Sequence, residues 1–234
     1  MGFMETIEHI RDLPGLGGDT IHVWGIHVPD ALGRLGALRA VLDQKEREKA
    51  ARFRRDADRH ASIVARGALR TLLSAYTELA PREIQINYMP TGKPFVASSD
   101  IEFNVSHSGD WVVIALGRGR NIGVDVERVR REIDVMGIAA RYFTPAETGL
   151  IEQAEDRHAV FFALWSRKEA YVKARGSTLF RELSSFAVPI EDAEVDGWFF
   201  HGLEAGSKHA AAVVTDKPLA GVPCYDFGGL KWDN

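Results

Sequence analysis

The chain has 234 residues, of which 45% are hydrophobic and 26% are charged, with a formal net charge of −4 at pH 7. This composition is typical of a globular protein and excludes the disordered, collagen-like and coiled-coil classes. The single cysteine, Cys224, excludes an intrachain disulfide and a cysteine-based zinc site. No apolar run approaches the roughly 18 residues of a membrane span, so we expect a soluble, cytoplasmic protein.

The charge is unevenly distributed along the chain. Residues 34–70 contain eleven Lys or Arg against five Asp or Glu, an excess of six positive charges in an otherwise acidic protein. The net negative charge argues against a general nucleic-acid binder. A basic helical face is commonly just a solvated surface. The functional alternative is a site for a phosphate-rich ligand or an acidic partner.

The first part of the chain predicts strands on either side of several helices. Alternating apolar residues indicate strands, and the spacing of apolar residues after Asp56 indicates a long amphipathic helix that Pro81 should end. The predicted elements are a strand at 21–28, helices at 31–42, 45–52 and 56–80, a strand at 84–88, a turn at 91–94, and strands at 101–104 and 111–116.

A turn-rich break at 117–121 separates a second part with a similar order of elements. The predicted elements there are a strand at 122–126, helices at 134–141, 145–153 and 157–175, and strands at 185–190, 197–203, 208–215 and 222–227. Each part consists of a strand, short helices, a long helix and further strands, although no repeat of residues is evident. We therefore predict two domains, 1–118 and 119–234.

Two carboxylates alternate with valines in the predicted strand at 122–126 and just beyond it. Because side chains alternate between the faces of a strand, Asp125 and Glu127 lie side by side, opposite Val124 and Val126. Neighbouring like charges are unfavourable without a compensating cation or proton. One interpretation is a solvent-facing edge strand. The more specific one is a divalent metal ion bound by oxygen ligands.

The helix at 157–175 supplies a third acid. Trp165, Glu169 and Lys173 follow at intervals of four and therefore share one helical stripe. A Glu–Lys pair at this spacing is commonly only helix support. The helix is otherwise strongly apolar, however, so charges on its packed side need partners. Glu169 is thus a candidate third ligand of Mg²⁺, and Lys173 a point charge for a bound phosphate.

The segment Asn104-Val-Ser-His-Ser-Gly109 is predicted to be a turn between two strands. Its short polar side chains, with His107 as a further donor, suit an anion or a nucleotide. The alternative is a turn that its own Ser and Asn side chains close. No G-x-S-x-G, Walker or G-x-G-x-x-G motif occurs in the chain, so hydrolase and P-loop chemistry are not indicated.

Four motifs occur in one order: Gly92-Lys-Pro94, Phe103-Asn-Val-Ser-His-Ser108, Gly123-Val-Asp-Val-Glu127, and Trp165-Ser-Arg-Lys-Glu-Ala170 with Lys173 and Gly176. In this order and spacing they resemble the surfactin-type (Sfp-like) 4′-phosphopantetheinyl transferases. Each motif alone is weak, but the combination spans nearly the whole chain. The length resembles the monomeric class of this family, which has two similar halves.

The resemblance implies an α+β fold of two similar α/β halves related by a pseudo-twofold axis. It implies transfer of the 4′-phosphopantetheine arm of coenzyme A to a serine of an apo acyl or peptidyl carrier protein, with release of 3′,5′-ADP. Mg²⁺, with Mn²⁺ as an alternative, is the implied metal ion. The expected partners are coenzyme A and the carrier protein, without a nucleic acid or a membrane, and the expected state is a monomer.

The resemblance also implies roles for individual residues. Asp125, Glu127 and Glu169 would bind the metal ion, and the catalytic residues would be Glu127, Glu169 and Lys173, with either glutamate or a water as the base. The first domain would bind the nucleotide end of coenzyme A, and the second would supply the acids and the pyrophosphate lysine. The implied coenzyme A contacts are Lys45, Lys49, Arg59, Lys93, Pro94, Ser106, His107 and Lys173.

Two other functions use the same residues. A metal-dependent phosphoesterase or nucleotidyl transferase would use an activated water rather than a carrier serine, and would hydrolyse coenzyme A without an acceptor. A catalytically inactive module would bind coenzyme A or the carrier only. The inactive module predicts loss of the metal acids or of Lys173, whereas all four residues are present.

Overall fold

The computed structural model describes residues 5–6, 12–97, 99–177 and 180–228. The outer ends of the two predicted domains, 1–4 and 229–234, lie outside these residues. The helices are α1 (Val28–Ala31), α2 (Leu35–Ala40), α3 (Gln44–Ala51), α4 (Asp56–Thr77), α5 (Val135–Tyr142), α6 (Pro145–Gln153) and α7 (Arg157–Ala174). In the described part of the chain, none of them combines the length and the apolar character that crossing a membrane demands.

The strands run from two to eight residues. They are β1 (Glu5–Thr6), β2 (His22–His27), β3 (Ile86–Tyr88), β4 (Pro94–Val96), β5 (Ile101–Ser108), β6 (Trp111–Arg118), β7 (Ile122–Arg128), β8 (Ala193–Val195), β9 (Trp198–Leu203), β10 (His209–Thr215) and β11 (Cys224–Asp226). Short 3₁₀ turns cover Leu32–Arg34 and Phe180–Ser185.

Two sheets repeat one unit. The five-stranded sheet has the order β1-β11-β2-β6-β5, and the four-stranded sheet has the order β7-β10-β9-β8, while β3 and β4 form a separate pair. In the first sheet β2 pairs antiparallel with β6, which pairs with β5; in the second, β7 pairs antiparallel with β10, which pairs with β9. A long helix, α4 or α7, lies between the first strand and the hairpin along the chain. The α+β class is therefore confirmed, and the two parts share this unit.

The predicted helices hold with two corrections in the first part. The helix expected at 31–42 is interrupted by a 3₁₀ turn at Leu32–Arg34, where Gly33 and Gly36 weaken helix propagation. The long helix α4 ends at Thr77, because Glu78 adopts a left-handed conformation with φ of 60°. Pro81 follows three residues later and does not itself end the helix.

The strand predicted at 185–190 is wrong. A 3₁₀ turn occupies Phe180–Ser185, and no regular element follows before β8. The main-chain groups of this segment bind side chains rather than a neighbouring strand: the carbonyls of Leu183 and Phe186 accept from Lys168, and the N–H of Val188 donates to Glu147. The short strands β1, β4 and β8 were not predicted.

The predicted strand at 222–227 forms β11 but joins the other sheet. It lies between β1 and β2 and runs parallel to β2. Tyr225 and Phe227 are buried in the core of the first part, with Trp24 and the apolar face of α4. The chain therefore returns to its first half at the end, and the predicted boundary at 118/119 does not separate the two sheets completely.

A separate apolar cluster joins the two halves. It contains residues of β2 and β6 on one side, such as Val23 and Val113, and residues of β7 and β10 on the other, such as Val124 and Val213, all nearly fully buried. This packing brings β7 of the second sheet alongside β5 and β6 of the first. The valines that alternate with the two acids of β7 thus belong to the core, as the alternation predicts.

Candidate active site

The polar residues of β5 connect the two sheets through their side chains. The prediction of a turn at 104–109 is wrong, because β5 continues through Ser108 and only Gly109 and Asp110 turn. Since alternate side chains of a strand share a face, three polar side chains reach β7 together: Asn104 Oδ1 accepts from the N–H of Val124 (2.9 Å), Ser106 Oγ donates to Asp125 Oδ1 (2.7 Å), and Ser108 Oγ donates to Glu127 Oε2 (2.9 Å).

Asp125 is the most enclosed acid of this region, with 3% of its surface exposed. Its Oδ1 accepts from Ser106 and from the ammonium of Lys173 (2.6 Å), whereas its Oδ2 is covered and has no hydrogen-bond partner among the described residues. Burial raises the pKa of the Asp125 carboxyl, and the neighbouring charge of Lys173 opposes that rise. One oxygen of Asp125 is therefore left for a ligand.

Glu127 and Glu169 complete a cluster of three interacting acids. Burial, followed by the charge of Asp125, raises the pKa of Glu127. Burial and the same charge raise the pKa of Glu169 to about 7. Within the described residues, the carboxylate of Glu169 makes no hydrogen bond or ion pair, although Glu169 is only 9% exposed. We call Asp125, Glu127 and Glu169 the carboxylate cluster.

Lys173 contacts the carboxylate cluster from α7. Its ammonium donates to Asp125 Oδ1, to Ser106 Oγ (3.1 Å) and to the carbonyl of Val124 (3.3 Å). The possible Glu–Lys pair along the helix is not formed, because Lys173 turns toward β7 instead of Glu169. A single ammonium thus joins β5, β7 and α7.

The main chains of β7 and α7 touch at Gly123. A Cβ built on this residue would overlap the carbonyl oxygen of Ala170 and the amide nitrogen of Ala174. Only a glycine permits this approach of strand and helix. The approach holds the acids of β7 beside Glu169 and Lys173 of α7.

The chemistry of the carboxylate cluster suits a hard divalent cation. Its donors are oxygens of three mutually repelling acids, and the covered Oδ2 of Asp125 lacks a partner. As the side chains stand, no three His, Cys, Asp or Glu residues in the described ranges converge closely enough to hold a metal ion. Lys173 supplies the cation that contacts Asp125 in this arrangement.

A cavity of about 680 Å³ lies on the other face of β5. Val105 and His107, which alternate with Ser106, line it together with residues of α1 and α4. The turn connects the two regions, because Gly109 lines the cavity and the preceding Ser108 contacts Glu127. We call this space the β5 cavity. Its ionisable lining residues are Lys49, Asp58, His60, Arg66, His107 and Asp110.

The structure separates the residues predicted to contact coenzyme A into three groups. Lys49 and His107 line the β5 cavity, and Ser106 and Lys173 lie in the polar contact with Asp125. The other four residues lie elsewhere. Lys45 is exposed and does not line the cavity, and Arg59 binds Asp56 and the carbonyl of Phe53. Lys93 is buried and donates to the carbonyl of Ala174 (3.2 Å), and Pro94 pairs with Tyr88 between β3 and β4.

Two features were missed by sequence reasoning. Arg66 lines the β5 cavity, where it donates to the Tyr88 hydroxyl (3.0 Å), while its Nη1 is covered and has no partner in the described part of the chain. The signal available in the sequence was that Arg66 belongs to the positively charged segment 34–70. Lys168 and Glu147 form a buried ion pair (3.0 Å). Nothing in the local pattern distinguishes these two from exposed helix charges.

Comparison with known proteins agrees with the motifs. A sequence profile described as the 4′-phosphopantetheinyl transferase superfamily matches residues 121–218. A second profile, described as 4′-phosphopantetheinyl transferase, N-terminal, matches residues 33–118. The two profiles thus cover the two similar halves in turn.

Several named proteins are similar over most of the chain. The 4′-phosphopantetheinyl transferase HetI of Nostoc sp. is 32% identical over 185 residues, which are 76% of this chain and 78% of HetI. The 4′-phosphopantetheinyl transferase Sfp of Bacillus subtilis is 30% identical over 179 residues, or 74% and 79% of the two chains. The 4′-phosphopantetheinyl transferase gsp of Aneurinibacillus migulanus is 30% identical over 165 residues, or 69% and 68%.

Proposed function

Since this chain belongs to the 4′-phosphopantetheinyl transferase superfamily, it is an enzyme that transfers the phosphopantetheine group of coenzyme A to carrier proteins, and we propose that the carboxylate cluster with Lys173 performs the transfer. The observation that carries this proposal is the contact of Lys173 with Asp125 at 2.6 Å, where β5, β7 and α7 meet. A site built from both halves suits a substrate with a nucleotide at one end and a reactive diphosphate further along.

In the proposed reaction, the hydroxyl oxygen of a carrier serine bonds to the phosphorus that bears the pantetheine arm. The bond from that phosphorus to the bridging oxygen breaks, and 3′,5′-ADP leaves. The serine proton passes to a carboxylate, directly or through a water. Glu127 and Glu169 are both candidates: Ser108 holds the first, and the second has no hydrogen bond within the described residues.

We propose that Asp125, Glu127 and Glu169 hold Mg²⁺, or Mn²⁺ in its place. The charge of Asp125 raises the pKa of both Glu127 and Glu169, and a group of acids with this unfavourable charge favours such a cation, which oxygen ligands suit. The metal ion would withdraw charge from the diphosphate when bound. Lys173 would stabilise the phosphate charge of the leaving group as a point charge.

We propose that the β5 cavity takes the phosphorylated nucleotide end of coenzyme A. Lys49, Arg66 and His107 are the candidates that would donate hydrogen bonds to its phosphate groups. The turn at Gly109 leads from the β5 cavity to the carboxylate cluster. Direct contacts of Lys45, Arg59, Lys93 and Pro94 with coenzyme A stay predictions. The acyl or peptidyl nature of the carrier, the monomeric state and the cytoplasmic location stay predictions.

The test is the intact mass of an apo acyl carrier protein and of an apo peptidyl carrier protein after incubation with this enzyme, coenzyme A and Mg²⁺. We expect a gain of one phosphopantetheine arm on at least one carrier, and loss of this gain when EDTA is added. A gain that persists in EDTA would contradict the metal proposal alone. Hydrolysis of coenzyme A without modification of either carrier would contradict the proposed transfer.

A further inference from the structure

Lys173 already neutralises the acid that a divalent cation would need. We infer that Lys173 is the internal counter-ion of Asp125 in the metal-free enzyme, and that a divalent cation binding at the carboxylate cluster displaces the ammonium and frees it for the substrate diphosphate. This inference rests on the proposed function, because it takes the metal ligands from that proposal.

The contacts of Lys173 are those of a bound cation. Its ammonium is within hydrogen-bond distance of three oxygens: Asp125 Oδ1 (2.6 Å), Ser106 Oγ (3.1 Å) and the Val124 carbonyl (3.3 Å). A lysine ammonium is a compact charge with three donors, so this set satisfies it fully. In this arrangement none of its donors is left for a phosphate.

The same arrangement leaves the carboxylate cluster short of positive charge. The ion pair of Lys173 with Asp125 is the only one that the three acids make in the part of the chain that the structure describes. Among the described residues, Asp125 Oδ2 has no hydrogen-bond partner, and the carboxylate of Glu169, which is only 9% exposed, makes no ion pair. A divalent ion compensates such a group better than one ammonium does.

The ammonium and the metal ion therefore compete for Asp125. Two cations that share one carboxylate repel each other, and this repulsion lowers the affinity of the free enzyme for the metal. Displacement of Lys173 gives it three free donors close to the cluster, where the substrate diphosphate supplies acceptors. Metal and coenzyme A should then each raise the affinity for the other, as linkage requires.

The test measures metal affinity without coenzyme A. Mn²⁺ is titrated into the wild-type enzyme, Lys173→Met and Lys173→Gln, and the free ion is followed by its paramagnetic resonance signal. We expect both variants to bind Mn²⁺ at least about tenfold more tightly than the wild type, because no ammonium competes. Lys173→Gln keeps a hydrogen-bond donor toward Asp125, so it serves if Lys173→Met folds poorly.

Two control variants remove positive charge without removing this contact. Arg130 is exposed and acts on Glu127 only through its charge. Lys208 is exposed and directly precedes β10, where its carbonyl accepts from the N–H of Val129 (2.8 Å). Arg130→Met should change Mn²⁺ affinity less than threefold, and Lys208→Met should leave it unchanged. An equal gain from Arg130→Met would overturn the inference, because a general charge effect would then suffice.

Thermal unfolding supplies a second readout that needs no substrate. In EDTA, Lys173→Met should unfold at a lower temperature than the wild type, and Mn²⁺ should raise its midpoint more than that of the wild type. Equal Mn²⁺ affinity in variant and wild type overturns the inference while leaving the metal proposal standing. Absence of Mn²⁺ binding in both overturns the inference and the metal proposal together, and the carrier assay still tests the transfer.

Discussion

The two halves use one arrangement of strands and a long helix, but they treat buried charge differently. In the first half α4 buries Arg70, which is 1% exposed. Its guanidinium donates to Glu46 (2.6 Å), to Asp43 (2.9 Å) and to the carbonyls of Pro81 and Ile84. This charge has acceptors on every side and connects α3, α4 and the segment after α4.

In the second half α7 buries Arg167, Lys168 and Glu169, of which the last two have opposite surroundings. Lys168 is fully buried and has three acceptors: Glu147 (3.0 Å) and the carbonyls of Leu183 (2.7 Å) and Phe186 (2.5 Å). Glu169, the next residue, has no such partner within the described residues. For Lys168 and Glu169, the complete set of partners belongs to the structural charge, and the missing partners belong to the charge that awaits a ligand. Lys173 also has a complete set, but its acceptors include Asp125 of the carboxylate cluster, which a bound cation would take over.

The largest expected effect is on Asp125, the acid with one unpartnered oxygen. Asp125→Ala should lower the rate of carrier modification by about 10³-fold or more. The free energy of unfolding should fall by only about 1–2 kcal/mol, because the burial cost of Asp125 is removed together with its ion pair, and the partly exposed Lys173 can turn to solvent. Transfer assays and urea unfolding measure both.

Glu152→Ala, which removes an exposed acid of α6, should change neither quantity. A folded and fully active Asp125→Ala enzyme would show that Asp125 has no role in the transfer. An unfolded Asp125→Ala chain would show that Asp125 is a structural charge.

The next effect is on Lys168, the charge with a complete set of partners. Lys168→Met should lower the free energy of unfolding by about 3 kcal/mol, because Glu147 and two carbonyls lose their donor. Urea unfolding measures this loss, and Lys208→Met at an exposed lysine should stay within about 0.5 kcal/mol of the wild type. Unchanged stability of Lys168→Met would show that a partner set alone does not identify a structural charge.

A third effect is the pH dependence of the unfolding free energy, which differs between the two halves. His22 is buried in the first half, where its Nδ1 lies 2.8 Å from the Tyr76 hydroxyl, and burial lowers its pKa to about 4. As pH falls from about 6.5 to 4, the unfolded chain takes up a proton that the folded chain does not. Stability should therefore fall by about 2 kcal/mol over this range, a value reduced for solvent screening.

Unfolding free energies between pH 4 and 7 measure this slope, and His22→Asn should remove its contribution. The raised pKa of Glu169 acts with the opposite sign in the second half, because it disfavours the folded state as pH rises toward 7. If His22→Asn leaves the pH dependence of the unfolding free energy unchanged, His22 does not cause it.

The smallest effect concerns Arg66, which is intermediate between charges with a complete set of partners and charges with an incomplete one. One nitrogen donates to Tyr88 and another is covered without a partner. Arg66→Ala should raise the KM for coenzyme A about tenfold with little change in kcat, as loss of one charged hydrogen bond implies. Arg47→Ala removes the same charge from the exposed side of α3 and should leave KM within twofold. Equal effects of both variants would assign the basic segment a general electrostatic role only.

The sequence predicted the elements whose side-chain pattern is strong. The alternation of β7, the limits of α6 and the length of α7 follow from local spacing and capping residues, as in the capping box of Thr144 and Glu147. The adjacency of Asp125 and Glu127 on one face followed from the same period of two. The motif order then predicted the family.

The remaining features depend on partners distant in the chain. Ser106 and Ser108 are typical turn residues, yet β5 stays extended because these side chains hydrogen-bond the acids of β7. β11 joins the first sheet because Tyr225 and Phe227 pack into that core. The contact of Lys173 with Asp125 rather than Glu169 is likewise set by the strand beside α7. Local propensity contains none of this information.

Gly123 has a consequence for how this enzyme can vary. Since the main chains of β7 and α7 meet at this residue, the separation of the strand acids from Glu169 is set by two backbones in contact, with no side chain as a spacer. Substitutions of the surrounding core residues can therefore change the packing around the carboxylate cluster without changing the distance between β7 and α7. Only glycine should therefore be tolerated at position 123. Enzymes that descend from this one with different surfaces and different carriers should keep the same distance between strand and helix.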